Sequence, residues 1–153
     1  MYMKHFFTCL LVLSLWSCAN DKNGGDDVTA SNEEELLAYI EANDLVAERS
    51  ASGLYYVINE LGTGATPTPS SNVTVAYRGY FTNGSTFDES PPEGISFNLN
   101  QVIPGWTEGI TYFKEGGNGI LLIPSRLGYG DRGRGSIPGG AVLIFDIDLR
   151  SVN

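Results

Sequence analysis

The segment from Val73 to Asp88, VTVAYRGYFTNGSTFD, constrains this chain more than any other. Its side chains alternate strictly. Val73, Val75, Tyr77, Gly79 and Phe81 fall on one face of a strand, and Thr74, Ala76, Arg78 and Tyr80 on the other. Asn83-Gly84 follows, a pair that tolerates positive φ and predicts a tight primed hairpin turn. The chain then returns through Phe87-Asp88, a bulky aromatic next to an acid. Such a hairpin reads equally as a half-buried structural element or as a pocket wall carrying one carboxylate.

Residues 1–17 are expected to be removed. Lys4 and His5 make a polar start, and Phe6 to Trp16 is almost wholly apolar. That run is too short to span a bilayer, which takes about twenty residues, but it has the size of a secretory core. Leu15-Trp16-Ser17-Cys18 sets a small residue before a cysteine. The arrangement resembles a bacterial lipoprotein signal, which implies cleavage before Cys18 and a lipid on it. The alternative is an ordinary secretory signal cut nearby. Lipidation would anchor the chain to a membrane of the cell envelope, with the outer membrane expected, facing the periplasm or the cell surface. Residues 18–30 then read as an acidic, Gly-rich tether, 31–52 as a helical arm and 53–153 as the main domain.

This processing excludes several chemistries. His5 is the only histidine and would leave with the signal, as would Cys9. No Ser-His-Asp triad, Cys-His pair or histidine-based zinc site remains, and no cofactor or metal is expected. Cys18, acylated, has no thiol partner for a disulfide. Nine Lys and Arg stand against 18 Asp and Glu, so general electrostatics do not attract nucleic acid.

Ser31 is a candidate cap for a helix starting near Asn32, with Glu33, Glu34 and Glu35 suiting its positive end. Leu36, Leu37 and Ile40 form its apolar stripe, and it should stop near Asn43. Its shortness predicts a docking arm rather than a dimerising stalk. Leu54 to Ile58 and Gly119 to Pro124 read as further strands, as does Ala141 to Leu149. In the last of these, Leu143, Phe145, Ile147 and Leu149 share one face and Asp146 and Asp148 the other. Pro104 suits the start of a short helix running to about Lys114, and the glycine-rich stretch Ser125–Gly140 must be an irregular loop. The pattern predicts an α+β domain in which an antiparallel sheet of about five strands carries one short helix on its inner face.

Asp88 and Glu89 are adjacent and point apart in a strand, so they make a poor glycosidase pair. LGYGDRGRG lacks the following helix and the lysine of a phosphate-binding loop. What remains is aromatic: Tyr77, Phe87, Phe97, Trp106, Tyr129 and Phe145. Each alone is ordinary core. Together, with Trp106 at a helix start, they suit an apolar cup rimmed by Asp88 and Tyr129 that takes a small apolar ring.

Four strings in order carry a family resemblance: VAYRGYFTNGSTFD, VIPGWTEGI, LLIPSRLGYG and IPGGAVLIFDIDL. They resemble the FKBP-type peptidyl-prolyl cis–trans isomerases from about Val73 to Val152, and the lead-in SGLYYVI is similar to bacterial lipoprotein members. The resemblance implies a sheet half-wrapped around the short helix, with the pocket between them. It implies Trp106 as the floor under a substrate proline, and Tyr77, Phe87, Phe97, Val102, Ile103 and Phe145 as walls. Ile103 N–H and the Tyr129 hydroxyl would donate to substrate carbonyls, Asp88 would sit at the rim, and Ile137 would overhang. The implied partners are proline-containing polypeptides and macrolide ligands of this family, and the implied role is folding of exported proteins. A binding module of the same fold with little turnover is the alternative, and a surface glycan-binding protein using exposed aromatics a more distant one. The chain departs from the family's pattern after Asp88, where the usual arginine partner is missing; Arg132 or Arg134 are candidates to replace it. Arg134 and Ser136 also stand where apolar or aromatic residues are common, which implies a changed preference before proline.

Overall fold

The structure, a computed structural model, describes residues 24–153. The proposed signal 1–17, Cys18 and the first part of the tether lie outside the described residues. The strands are β1 (Glu48–Arg49), β2 (Tyr55–Glu60), β3 (Asn72–Tyr80), β4 (Thr86–Glu89), β5 (Ile95–Asn98), β6 (Asn118–Ile123) and β7 (Leu143–Val152). They form one antiparallel sheet in the order β1-β2-β6-β7-β3-β4, with β5 also on β3. Seven strands therefore stand where about five were expected. Besides the two-residue β1, the extra strand comes from the chain that returns beside β3. It is split, β4 pairing with Arg78–Tyr80 and β5 with Asn72–Val75. Pro91, Pro92 and Gly94 lie at the break, where proline has no N–H to continue a ladder.

Alternation sorts the core as expected. In register, Tyr77 opposes Ile147, Gly79 opposes Phe145, and Leu121 opposes Phe145 from the other side. Val73, Val75, Leu121, Ile123, Leu143, Phe145, Ile147 and Leu149 pack on the inner face against Trp106, Ile110 and Phe113. The last three come from α2 (Pro104–Gly109) and the 3-10 turn Ile110–Tyr112 that follows it. This helix is shorter than the expected span to Lys114. Fully burying a side chain such as Ile110 or Phe113 contributes about 1.5–3 kcal/mol relative to exposure. Gly79 lies within this face because a Cβ there would meet the Phe87 and Phe145 rings at 2.7 Å.

The hairpin turn differs from expectation. Gly84 has φ +85°, but Asn83 does not enter the left-handed region. Gly84 N–H donates to Phe81 O (2.8 Å) and Phe81 N–H to Ser85 O (3.0 Å). The result is a three-residue loop closed by a glycine in the left-handed region, rather than a two-residue primed turn. Asn83 acts through its side chain instead, accepting from Ser85 N–H at 2.9 Å.

The N-terminal helix α1 runs Gly24–Ala42, so it begins seven residues before Ser31 and takes in much of the expected tether. It docks on the outer face of the sheet. Leu36 joins Tyr55, Val57, Tyr80, Leu122, Val142 and Ile144 there, with Tyr39 and Ile40 alongside. The sheet-facing stripe of α1 is Asn32 and Leu36, both buried, with Tyr39 and Ile40 partly buried, while Leu37 is half exposed. Because the helix starts early, Glu33 and Glu35 sit in its interior rather than at its positive end. They reach the sheet side: Glu33 accepts from Tyr55 O–H (2.7 Å) and pairs with Arg49 (3.0 Å), and Glu35 accepts from the Thr82 hydroxyl (2.6 Å). The Tyr55 hydrogen bond, against some burial and helped by Arg49, holds the Glu33 carboxyl below its ordinary range.

Among the described residues, one polar side chain of α1 is buried. Asn32 donates from its amide to Gly140 O (2.9 Å) and accepts from Ser125 N–H (2.7 Å). It thereby ties both ends of the loop between β6 and β7. That loop holds 3-10 turns at Ser125–Leu127 and Gly130–Arg132, then a small bridge between Arg134 and Ile137.

Candidate active site

The elements converge on one open cavity of about 830 Å³. Tyr77 comes from β3, Phe87 and Asp88 from β4, Phe97 from β5 and Phe145 from β7. Val102 and Ile103 precede α2, Trp106 stands in its first turn, and Tyr129 and Ile137 hang from the β6–β7 loop. Every pocket residue expected from the sequence therefore lines the same space.

Trp106 is its floor. Pro104 opens α2 at a position where a missing N–H costs nothing, and Trp106 N–H donates to Ile103 O at 2.9 Å. The indole is 5% exposed, with Tyr77 edge-on at 4.8 Å, Phe145 edge-on at 5.1 Å and Phe97 tilted at 5.3 Å between centroids. Phe87 continues the cage, edge-on to Phe145 at 5.4 Å. Such edge-to-face pairs each contribute about 0.5–1.5 kcal/mol beyond burial and hold the rings in fixed planes. The space they enclose is apolar and preshaped.

Polar groups lie at the wall and rim. Tyr77 O–H donates to Asp88 Oδ2 at 2.7 Å, and Ser90 ties the end of β4 to Tyr77 through both its N–H and its hydroxyl. Neither Arg132 nor Arg134 pairs with Asp88. The Arg134–Ile137 bridge, closed by two 2.9 Å hydrogen bonds, sets the Arg134 guanidinium 5.8 Å from the Tyr129 ring centroid instead. Among the described residues, the side-chain donor to the Asp88 carboxylate is the Tyr77 hydroxyl. Among the described residues, none accepts from Ile103 N–H or from the Tyr129 hydroxyl, and both residues line the cavity.

Burial first, and the Asp88 hydrogen bond second, push the Tyr77 phenol far above its ordinary value. Burial does the same to Tyr80, which donates to Asp146 at 3.0 Å. A phenol whose folded pKa is raised contributes stability that is fully present below its unfolded value of about 10 and is lost as pH rises beyond it. Alkaline titration followed by phenolate absorbance should therefore show Tyr77 and Tyr80 ionising only together with loss of near-ultraviolet dichroism. A single absorbance wave near pH 10 with native dichroism would contradict this.

Among the described residues, no group of three or more His, Cys, Asp or Glu is placed to hold a metal ion. The cavity can bind an apolar ring, desolvate what is attached to it and donate hydrogen bonds at its edge.

The sequence profile of the FKBP-type peptidyl-prolyl cis-trans isomerases matches residues 64–150. The chain belongs to this family. It is 40% identical over 135 residues to the FKBP-type peptidyl-prolyl cis-trans isomerase FkpA of Aeromonas hydrophila, covering 86% of this chain and 50% of that protein. Against FkpA of Escherichia coli K12 it is 41% identical over 127 residues, covering 80% and 47%. The crystal structure of E. coli FkpA matches with a TM-score of 0.76 at 37% identity, over 85% of this chain and 61% of that one. A peptidyl-prolyl cis-trans isomerase of Pseudomonas syringae pv. tomato matches with 0.71 at 29%, over 82% and 96%. This FKBP-type chain spans about half the length of the FkpA sequences it matches.

The FKBP cavity also includes residues that the sequence reading gave no wall role. Ile95 and Phe97 are two apart on β5 and share a face, so the period of two contained that signal. Gln101 and Pro104 flank Val102 and Ile103. Gly135 stands with Arg134 and Ser136 at the mouth, in a loop whose composition carries no periodic signal.

Proposed function

We propose that this chain is a peptidyl-prolyl cis–trans isomerase acting on proline-containing polypeptides, and that it assists the folding of exported proteins. The observation that carries the reading is the buried Trp106 indole flooring an aromatic cavity that is open to solvent. Turning an X-Pro bond means twisting an amide over a barrier of about 18–20 kcal/mol, which takes tens to hundreds of seconds unaided. The twisted amide loses resonance and part of its dipole, so an environment that strips water from it favours the twisted form over the planar one. The proline ring would rest on Trp106 between Tyr77, Phe87, Phe97 and Phe145, with Val102 and Ile137 closing the sides. Ile103 N–H and the Tyr129 hydroxyl would hold the flanking carbonyls, and Asp88, fixed by Tyr77, would face the amide edge. No covalent step, metal or cofactor enters. Macrolides of the kind this family binds would compete for the same cavity.

The lipoprotein-like signal supports anchoring through a lipid on Cys18, in the cell envelope and at its outer membrane. A protease-coupled proline assay on the purified chain tests the catalytic reading. Wild type should exceed a Trp106→Ala, Asp88→Ala double variant at equal concentration, and equality of the two would remove it. Among the described residues no arginine pairs with Asp88, and this favours a second reading, a polypeptide-binding module with little turnover.

A further inference from the structure

Positive charge in this acidic chain is concentrated in the loop between β6 and β7, which borders the cavity. Three of the nine Lys and Arg residues, Arg126, Arg132 and Arg134, fall within Ser125–Gly140, where Asp131 is the only acid. Arg126 turns away to Ser52 O. Arg132 is exposed and does not line the cavity. Arg134 does line it, held by the bridge to Ile137 and by Gly133 and Gly135 on either side, at φ +67° and +59°. Its guanidinium rests over Tyr129, and the ion pairs among the described residues, Arg49–Glu33 and Arg150–Asp148, leave it out. The one carboxylate of the lining, Asp88, already accepts from Tyr77.

An arginine stacked on a ring and hinged on a closed turn presents a planar pair of donors with little left to order, which matches a carboxylate. With a proline on Trp106, the preceding Cα is one peptide unit away, about 3–4 Å, so the preceding side chain stays at the mouth. We propose that Arg134 forms a subsite for an acidic side chain immediately before proline, making Glu-Pro and Asp-Pro favoured substrates. The proposal rests on the isomerase reading for its orientation.

The test uses acetylated, amidated Ala-Xaa-Pro-Phe peptides with Xaa as Glu or Gln, scored by exchange spectroscopy for turnover and by tryptophan fluorescence for binding. The Glu-to-Gln ratio is taken within each variant, so that general changes cancel. Wild type should favour Glu about threefold at low salt, the size of an exposed ion pair, and less in about 1 M salt. Arg134→Gln should bring the ratio to about one and Arg134→Glu should invert it, while Arg132→Gln should keep it. A wild-type ratio of one, a ratio untouched by Arg134→Gln, or an equal loss in Arg132→Gln would overturn the subsite. So would the same Arg134 dependence for an acid placed after the proline instead. Absence of turnover with every peptide would sink the isomerase reading, while the ratio of binding constants would still decide the subsite.

Discussion

Trp106→Ala is expected to lower kcat/KM for prolyl isomerisation by about a hundredfold, the scale of loss when a bound group is no longer held in place. The indole touches three of the aromatic walls, so its removal unseats Tyr77, Phe97 and Phe145 together and opens the floor to water. Both the shape of the ring site and its dryness then go. The same substitution should cost about 3–5 kcal/mol of stability, the usual penalty for emptying an aromatic core position. Assays therefore belong at a temperature where dichroism shows the variant folded. Trp106→Phe separates the two effects by keeping an apolar floor, and should stay within about tenfold of wild type. A folded Ala variant with wild-type kcat/KM would refute the role given to this residue.

Asn32→Ala should have the next largest effect, though the residue lies outside the cavity. Its side chain satisfies Ser125 N–H and Gly140 O, groups 93 and 108 residues away in the chain. Leaving buried partners orphaned costs about 1–3 kcal/mol each, so a loss near 3 kcal/mol and about 10 °C in Tm is expected. The consequence reaches the site because the segment between those anchors carries Tyr129, Arg134 and Ile137. KM should rise more than kcat falls. Leu36→Ala supplies the comparison: it empties the same interface, at about 2–5 kcal/mol, while its buried cluster includes no residue between Ser125 and Gly140, and it should leave KM alone. Equal changes in KM for the two variants would reduce Asn32 to a stabilising contact.

These particulars also mark what the chain reveals before it is folded. The sorting of Tyr77, Phe145 and Ile147 to one face was legible because a period of two is a local property of β3 and β7. The gathering of nine of the ten expected cavity residues was legible through four motifs in order, which carry a spatial arrangement that no single string contains, while Phe97 lies between the first two. The turn at Asn83-Gly84 was harder, since that pair suits both a two-residue primed turn and the three-residue form found here. Gly24 and Gly25 looked like linker, yet α1 begins there. What holds the helix is Asn32, Leu36 and Glu33 meeting the sheet and a distant loop. Those pairings have no local sequence signature. The partner of Asp88 was illegible for a related reason: Arg134 is aimed by its bridge to Ile137, and the carboxylate accepts from Tyr77 instead.

Exchange NMR on a single X-Pro peptide decides whether the cavity catalyses or only binds, because it separates turnover from binding. An isomerase must raise the cis-to-trans and trans-to-cis rates by the same factor at substoichiometric concentration, leaving the equilibrium ratio unchanged. Wild type is expected to give that outcome, and Trp106→Ala to lose it. Binding that shifts the cis and trans populations only in proportion to bound protein, with exchange no faster than in buffer, would contradict it.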